Sequence, residues 1–248
     1  MAVDPRQAAR PLLSTRERAG RLAAIIGVIL LHLTAYYIVT RVNSGRPVDA
    51  LWDPRLRADD WIPHLPWSWV FYWTAYPYLT LVAATVIWRL PAGSFHRSIQ
   101  AFVVLTLVGA GIQLALPIEA PWPEAAHPMQ RLMHESALTR PYASLPSMHV
   151  AYSVLTACLG VAIARRGLLK VLHVVTAMLI ILSTLTLKEH FVLDSATGAL
   201  LGMLAAGWWR LGSRLDEERA LSTERGWTGA TGSDAAAVEA RPWRRTVD

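Results

Sequence analysis

"SMHVAYSVLTACLGVAIARRGLLKVLHVVTAMLIILSTLTLKEHFVLDSATGALLGMLAAGWW" fills residues 147–209, and its reading decides the fold. Three apolar runs, Met148–Ala164, Val171–Leu187 and Phe191–Trp209, are broken by two short polar turns. The first turn holds Arg165, Arg166 and Lys170; the second is Lys188-Glu189-His190. Each run comes close to the ~20 apolar residues that a membrane-crossing helix needs. Backbone groups without partners are costly in lipid, so each run is expected to be a helix. No stretch shows the regular alternation of a membrane β-barrel.

Working outward, three more apolar runs precede this block: Leu22–Thr40, Trp67–Trp88 and Ile99–Leu116. The chain is 53% apolar and only 17% charged, too apolar for an ordinary soluble domain. The expected fold class is therefore all-α: a polytopic membrane protein with six transmembrane helices and both termini cytoplasmic. Residues 1–20 form a basic lead, 21–211 the six-helix domain, and 212–248 a tail without a sustained apolar face, expected to be disordered. The first run is too long for a signal-peptide core and has no small-residue cleavage site after it, so it reads as a retained span. The lone Cys158 lies inside the fourth span and reads as filler.

Orientation follows from charge. With the amino terminus inside, seventeen of the twenty-four Lys and Arg residues fall on inner segments. Lys and Arg favour cytoplasmic loops, so the net charge of +6 is assigned to topology and not to nucleic acid. Trp61, Trp67 and Trp69 mark one interface; Trp88, Trp208 and Trp209 mark the other. Ser147, His149, Lys188 and His190 then share the outer face. The long outer loop at 118–145 reads as a lid or binding element; His127 and His134 in it read as solvated.

The chemistry gathers at that face. Pro146 suits a first helical turn, and the backbone N–H groups and hydroxyl around Ser147 would make an anion site there. His149 in the same turn could give a proton to a leaving oxygen. His190 and Asp194 are four apart and would touch across one helix face. A carboxylate inside a span is a functional candidate by default, and bonded to one imidazole nitrogen it would free the other as a nucleophile. Lys188 and Arg140 are cations placed to neutralise a phosphate. Gly198 and Gly202 read as a small-xxx-small packing stripe.

These residues resemble the type 2 phosphatidic acid phosphatase superfamily, whose patterns are K-x6-R-P, P-S-G-H and S-R-x5-H-x3-D. Arg140-Pro141 matches the end of the first, with Met133 at its lysine. Pro146, Ser147 and His149 match the second, with Met148 for glycine. Ser183, His190 and Asp194 match the third, with Thr184 for arginine. "KEHFVLD", Lys188–Asp194, is closest to the inositol-phosphorylceramide-synthase-like branch.

The resemblance implies a lipid-phosphate phosphatase or phosphotransferase with no metal or cofactor. In it His190 attacks phosphorus, Asp194 orients it, and His149 protonates the leaving oxygen. Ser147, Lys188 and Arg140 hold the phosphate. It also implies membrane lipids as surroundings and a lipid phosphate as partner. The Lys and Arg distribution, with an Ala- and Arg-rich composition of bacterial type, puts the expected active site on the extracytoplasmic side of a plasma membrane. Head group, acceptor and oligomeric state stay open. Two other readings use the same residues: a metal-dependent hydrolase with zinc on His149, His190 and Asp194, and a non-enzymatic transporter or scaffold.

Overall fold

The computed structural model of the chain describes residues 13–47, 50–118, 128, 131 and 144–214. Arg140, Met133, His127 and His134 lie outside the described residues, as do most of the 118–145 loop, the lead before residue 13 and the tail beyond residue 214. All regular elements among the described residues are helical: α1 (Thr15–Ser44), α2 (Arg57–Trp61), α3 (Trp69–Trp73), α4 (Ala75–Arg89), α5 (Ala92–Ala115), α6 (Met148–Ile163) and α7 (Gly167–Thr186). A further helix, α8, covers 192–214.

Three of these, α1, α5 and α7, are long and apolar enough to cross a membrane. At ~1.5 Å per residue, α1 with its 30 residues is ~45 Å long, more than a bilayer core requires. It begins five residues before the lead was expected to end, because Ser14 and Glu17 close a capping box. α6 has 16 residues, ~24 Å, and is shorter than a full span.

The expected second span, Trp67–Trp88, is not one helix. A 3₁₀ turn at Pro66–Ser68 leads into α3, and a turn at Thr74 separates α3 from α4. Pro77 explains the break: it has no N–H to give the Trp73 carbonyl, and its ring would clash there. The last helix continues through Gly212, Ser213 and Arg214, which the sequence had assigned to the tail.

The helices pack around α6. It contacts α4, α5 and, most extensively, α7, while α1 lies along α5. Ala101, Leu105, Ala151, Leu155, Leu159 and Ile180 are sealed in the resulting core. Gly198 and Gly202 of α8 face the start of α6; a Cβ at either would lie 2.4 Å from Ser147 O or 2.5 Å from Ala151 O. Only a glycine permits that approach, as the packing stripe suggested. Outward, α1, α7 and α8 expose Leu30, Leu33, Leu168, Val171, Leu204 and Leu211. An apolar exterior of this extent requires an apolar surrounding.

Several polar side chains inside the bundle are paired. His32 on α1 meets Tyr152 on α6 at 3.1 Å, and Tyr152 meets Thr106 on α5. His173 meets Tyr78 at 3.2 Å. Both histidines thus join one helix to another through a tyrosine.

Candidate active site

The site forms where the start of α6 meets the turn between α7 and α8. α6 begins at Met148 because Ser147 is its N-cap: the serine oxygen accepts from Val150 N at 3.5 Å. Pro146 therefore precedes the cap instead of sitting in the first turn, and its bond to Leu145 is cis. Gln113 on α5 holds Pro146 O at 3.0 Å. Ser147 N is already used, donating to Asp194 O at 3.0 Å. The amides of Met148 and His149 are the first-turn donors with no helical acceptor before them.

His190 is not on a helix. Thr186 ends α7, Lys188 takes a left-handed φ of 59°, and the amides of Glu189 and His190 fold back on Thr184 O at 3.1 and 3.2 Å. α8 starts just after, and Asp194 in its first turn reaches back to accept from Phe191 N at 3.1 Å. The His190–Asp194 contact is thus made by a capping turn and not by helical periodicity. His190 Nδ1 lies 3.5 Å from Asp194 Oδ2. Asp194 is fully buried, and the positive end of the α8 dipole favours a carboxylate there.

Ser144 completes the arrangement, and no motif pointed to it. Its hydroxyl donates to Asp194 Oδ2 and lies 3.2 Å from His190 Nδ1. A carboxylate only accepts, and the serine proton is spent on it. The proton between these groups and the imidazole must then sit on Nδ1, which leaves the lone pair on Nε2. Asp194 Oδ1 is buried with no hydrogen-bond partner among the described residues.

The rings of His149 and His190, 41 positions apart, have centroids 6.2 Å apart. Two tyrosines bracket His149. Tyr72 stacks on it at 4.7 Å with its hydroxyl 3.4 Å from Nδ1, and the Tyr76 hydroxyl lies 3.5 Å from Nε2. The break before Pro77 sets this pair: Tyr72 ends up on α3 and Tyr76 on α4. α3 is pinned to the site end of α7, since Leu65 N donates to Thr186 O at 2.8 Å and Thr186 bonds Ser68 at 2.8 Å.

Lys188 reaches a different partner from the one expected. Its ammonium donates to Asp59 O at 2.7 Å. The buried Asp59 side chain accepts from Val192 N at 2.8 Å and from Leu56 N at 2.8 Å, so α2 straps the turn that carries His190. Thr184, where the resembled pattern has arginine, is buried with its hydroxyl on Ile181 O at 2.7 Å. Ser147, His149, His190 and Asp194 are thus brought together, while Lys188 is held beside them on the strap. Among the described residues no three His, Cys, Asp or Glu side chains group closely enough to hold a metal.

Residues 51–208 match the family model described as PAP2 superfamily. No curated protein and no solved structure matches the chain.

Proposed function

We propose that this chain, which belongs to the PAP2 superfamily, is an integral-membrane lipid-phosphate phosphatase or phosphotransferase that works through a phosphohistidine. One observation supports this above the others: a buried carboxylate and a serine lie against Nδ1 of His190, and the His149 ring centroid is 6.2 Å from that of His190.

The steps follow from that arrangement. His190 Nε2 attacks phosphorus, the bond to the leaving oxygen breaks, and His149 supplies the proton that oxygen needs. Asp194 holds the positive charge that grows on His190. Water or an alcohol then attacks the phosphohistidine, with His149 taking its proton, and His190 Nε2 is released. Charge on the equatorial oxygens of both transition states is met by the open amides of α6 and by Lys188 and Arg140. Lys188 exchanges its bond to Asp59 O for the phosphate.

The six apolar segments cross the bilayer with α6 among the shorter of them, both termini lie in the cytoplasm, and the site opens on the extracytoplasmic side. The Lys188–Asp194 pattern, with threonine at 184, favours the inositolphosphotransferase-like branch.

The test is turnover of a panel of lipid phosphates by purified protein, following both phosphate release and new lipid products. His190→Ala is expected to abolish both and His149→Ala to cost ~10²–10⁴-fold. Near-normal rates in both variants would contradict the mechanism and leave a transporter or scaffold as the better reading.

A further inference from the structure

α6 carries His149 at its start and ends at Ile163; α7 returns from Gly167 to the His190 turn. The far ends of these helices, with the end of α4, border a half-open cavity of ~800 Å³. That volume falls within the ~300–1,000 Å³ of small-molecule sites. Three arginines line it, Arg89, Arg165 and Arg166, and among the described residues no carboxylate does. Ile163 and Leu169 give it an apolar wall, and Trp88 stands at its edge, largely exposed.

Two features make this more than a basic surface. α7 starts beside the cavity from Arg166, which makes no side-chain cap, and Arg166 O takes the amides of Leu169 and Lys170. The amides of Gly167 and Leu168 therefore open the helix at the positive end of its dipole. The rim is also fixed from outside: Arg21 of α1 donates to Leu90 O at 2.9 Å, and the Arg18 guanidinium lies 5.4 Å from the Trp88 ring. A hollow that offers the guanidinium groups of Arg165 and Arg166 and a helix N-terminus, with no acid among its described lining residues, suits an anion. Its apolar wall and interfacial tryptophan select one carried on an acyl chain.

We propose that this cavity binds the phosphate of an anionic membrane phospholipid, at the end of the bundle opposite the histidines. Arg165 and Arg166 clamp the phosphate oxygens, and the acyl chains leave along Ile163 and Leu169. The site is separate from the chemistry and does not depend on it.

The test is native mass spectrometry of the full chain with phosphatidylglycerol or phosphatidylcholine, with and without excess inorganic phosphate. One phosphatidylglycerol should be retained in preference to phosphatidylcholine and should resist inorganic phosphate. The double variant Arg165→Gln/Arg166→Gln should lower that retention about tenfold or more, whereas Lys170→Gln, one charge fewer nearby but off the cavity, should change it less than about twofold. Arg165 and Arg166 are exposed, so folding should be unaffected, as an unchanged thermal midpoint would verify.

Equal retention of both lipids, or equal loss in Lys170→Gln, would overturn the proposal. Ready displacement by inorganic phosphate would make this a soluble-phosphate site and overturn the lipid assignment. Retention gained only when Asp216, Glu217 and Glu218 are neutralised would mean that the chain's own acidic segment fills the cavity, and would also overturn it.

Discussion

α6 and α7 are neighbours of similar apolar composition, yet they do opposite jobs. In α6, ten of sixteen residues are buried, against four of twenty in α7: Ala177, Ile180, Ser183 and Thr184. α6 is gripped by helices on several sides and carries His149; α7 turns most of its surface outward. Apolar character alone does not say whether a side chain meets protein or lipid. What separates the two helices is what approaches them: α6 takes Gly198 and Gly202 against its backbone, while α7 exposes Leu168, Val171 and Val174. In the proposed mechanism, the residue that must be placed accurately rides on the more deeply buried helix.

The largest test of that contrast sets one histidine against another. His149→Gln on α6 should cut kcat by ~10²–10⁴-fold. His173→Gln on α7 keeps a hydrogen-bonding side chain near Tyr78 and should stay within a few-fold of the parent. Steady-state rates on one lipid phosphate would read both, and comparable losses would erase the distinction between the helices.

Packing comes next. Gly198→Ala and Gly202→Ala push a Cβ against backbone of α6, which cannot rotate away, and overfilling of this kind costs ~1–3 kcal/mol. Leu172→Ala on the exposed face of α7 should fall within ~0.5 kcal/mol of the parent. Thermal unfolding in detergent would rank the three.

A smaller effect is expected at Tyr72. Tyr72→Phe keeps the ring stacked on His149 and removes the hydroxyl from Nδ1, so kcat should fall a few-fold with KM nearly unchanged. A loss confined to KM would place Tyr72 in substrate binding instead.

The smallest concerns α1, far from this contrast. Hydrogen bonds from Ser14, its backbone N–H first, hold the Glu17 carboxyl below the ordinary range. Its folded value is depressed, so the cap's contribution is present above the unfolded value and is lost as pH falls through the folded one. Amide exchange at the start of α1 should quicken over that acid range, and Glu17→Gln should flatten the response.

Much of this was legible in the sequence. Hydropathy located the helices, and the Ser-x-His and His-x-x-x-Asp patterns found four residues that do come together. The errors were local and have physical causes. Pro77 splits a segment whose hydropathy is continuous, because a missing N–H leaves no trace in an apolar count. Ser147 took the cap, so Pro146 precedes the helix instead of sitting in its first turn as expected. His190 meets Asp194 through a turn, although the spacing of four suited a helix equally well. Ser144, Tyr72 and Asp59 were missed because each reaches the site through tertiary approach: Asp59 meets Val192 across 133 positions, and no spacing rule spans that. The arginine cavity was missed for the same reason, since Arg89 and Arg165 are joined only by the folding of α4 against α6.

The central claim is that His190 carries the phosphoryl group. The most direct measurement is rapid quenching of the protein with a lipid phosphate labelled at phosphorus, followed by identification of the labelled residue. The account expects acid-labile, alkali-stable label on His190 that vanishes in His190→Ala. Label on another residue, or full turnover in His190→Ala with no label anywhere, would contradict it.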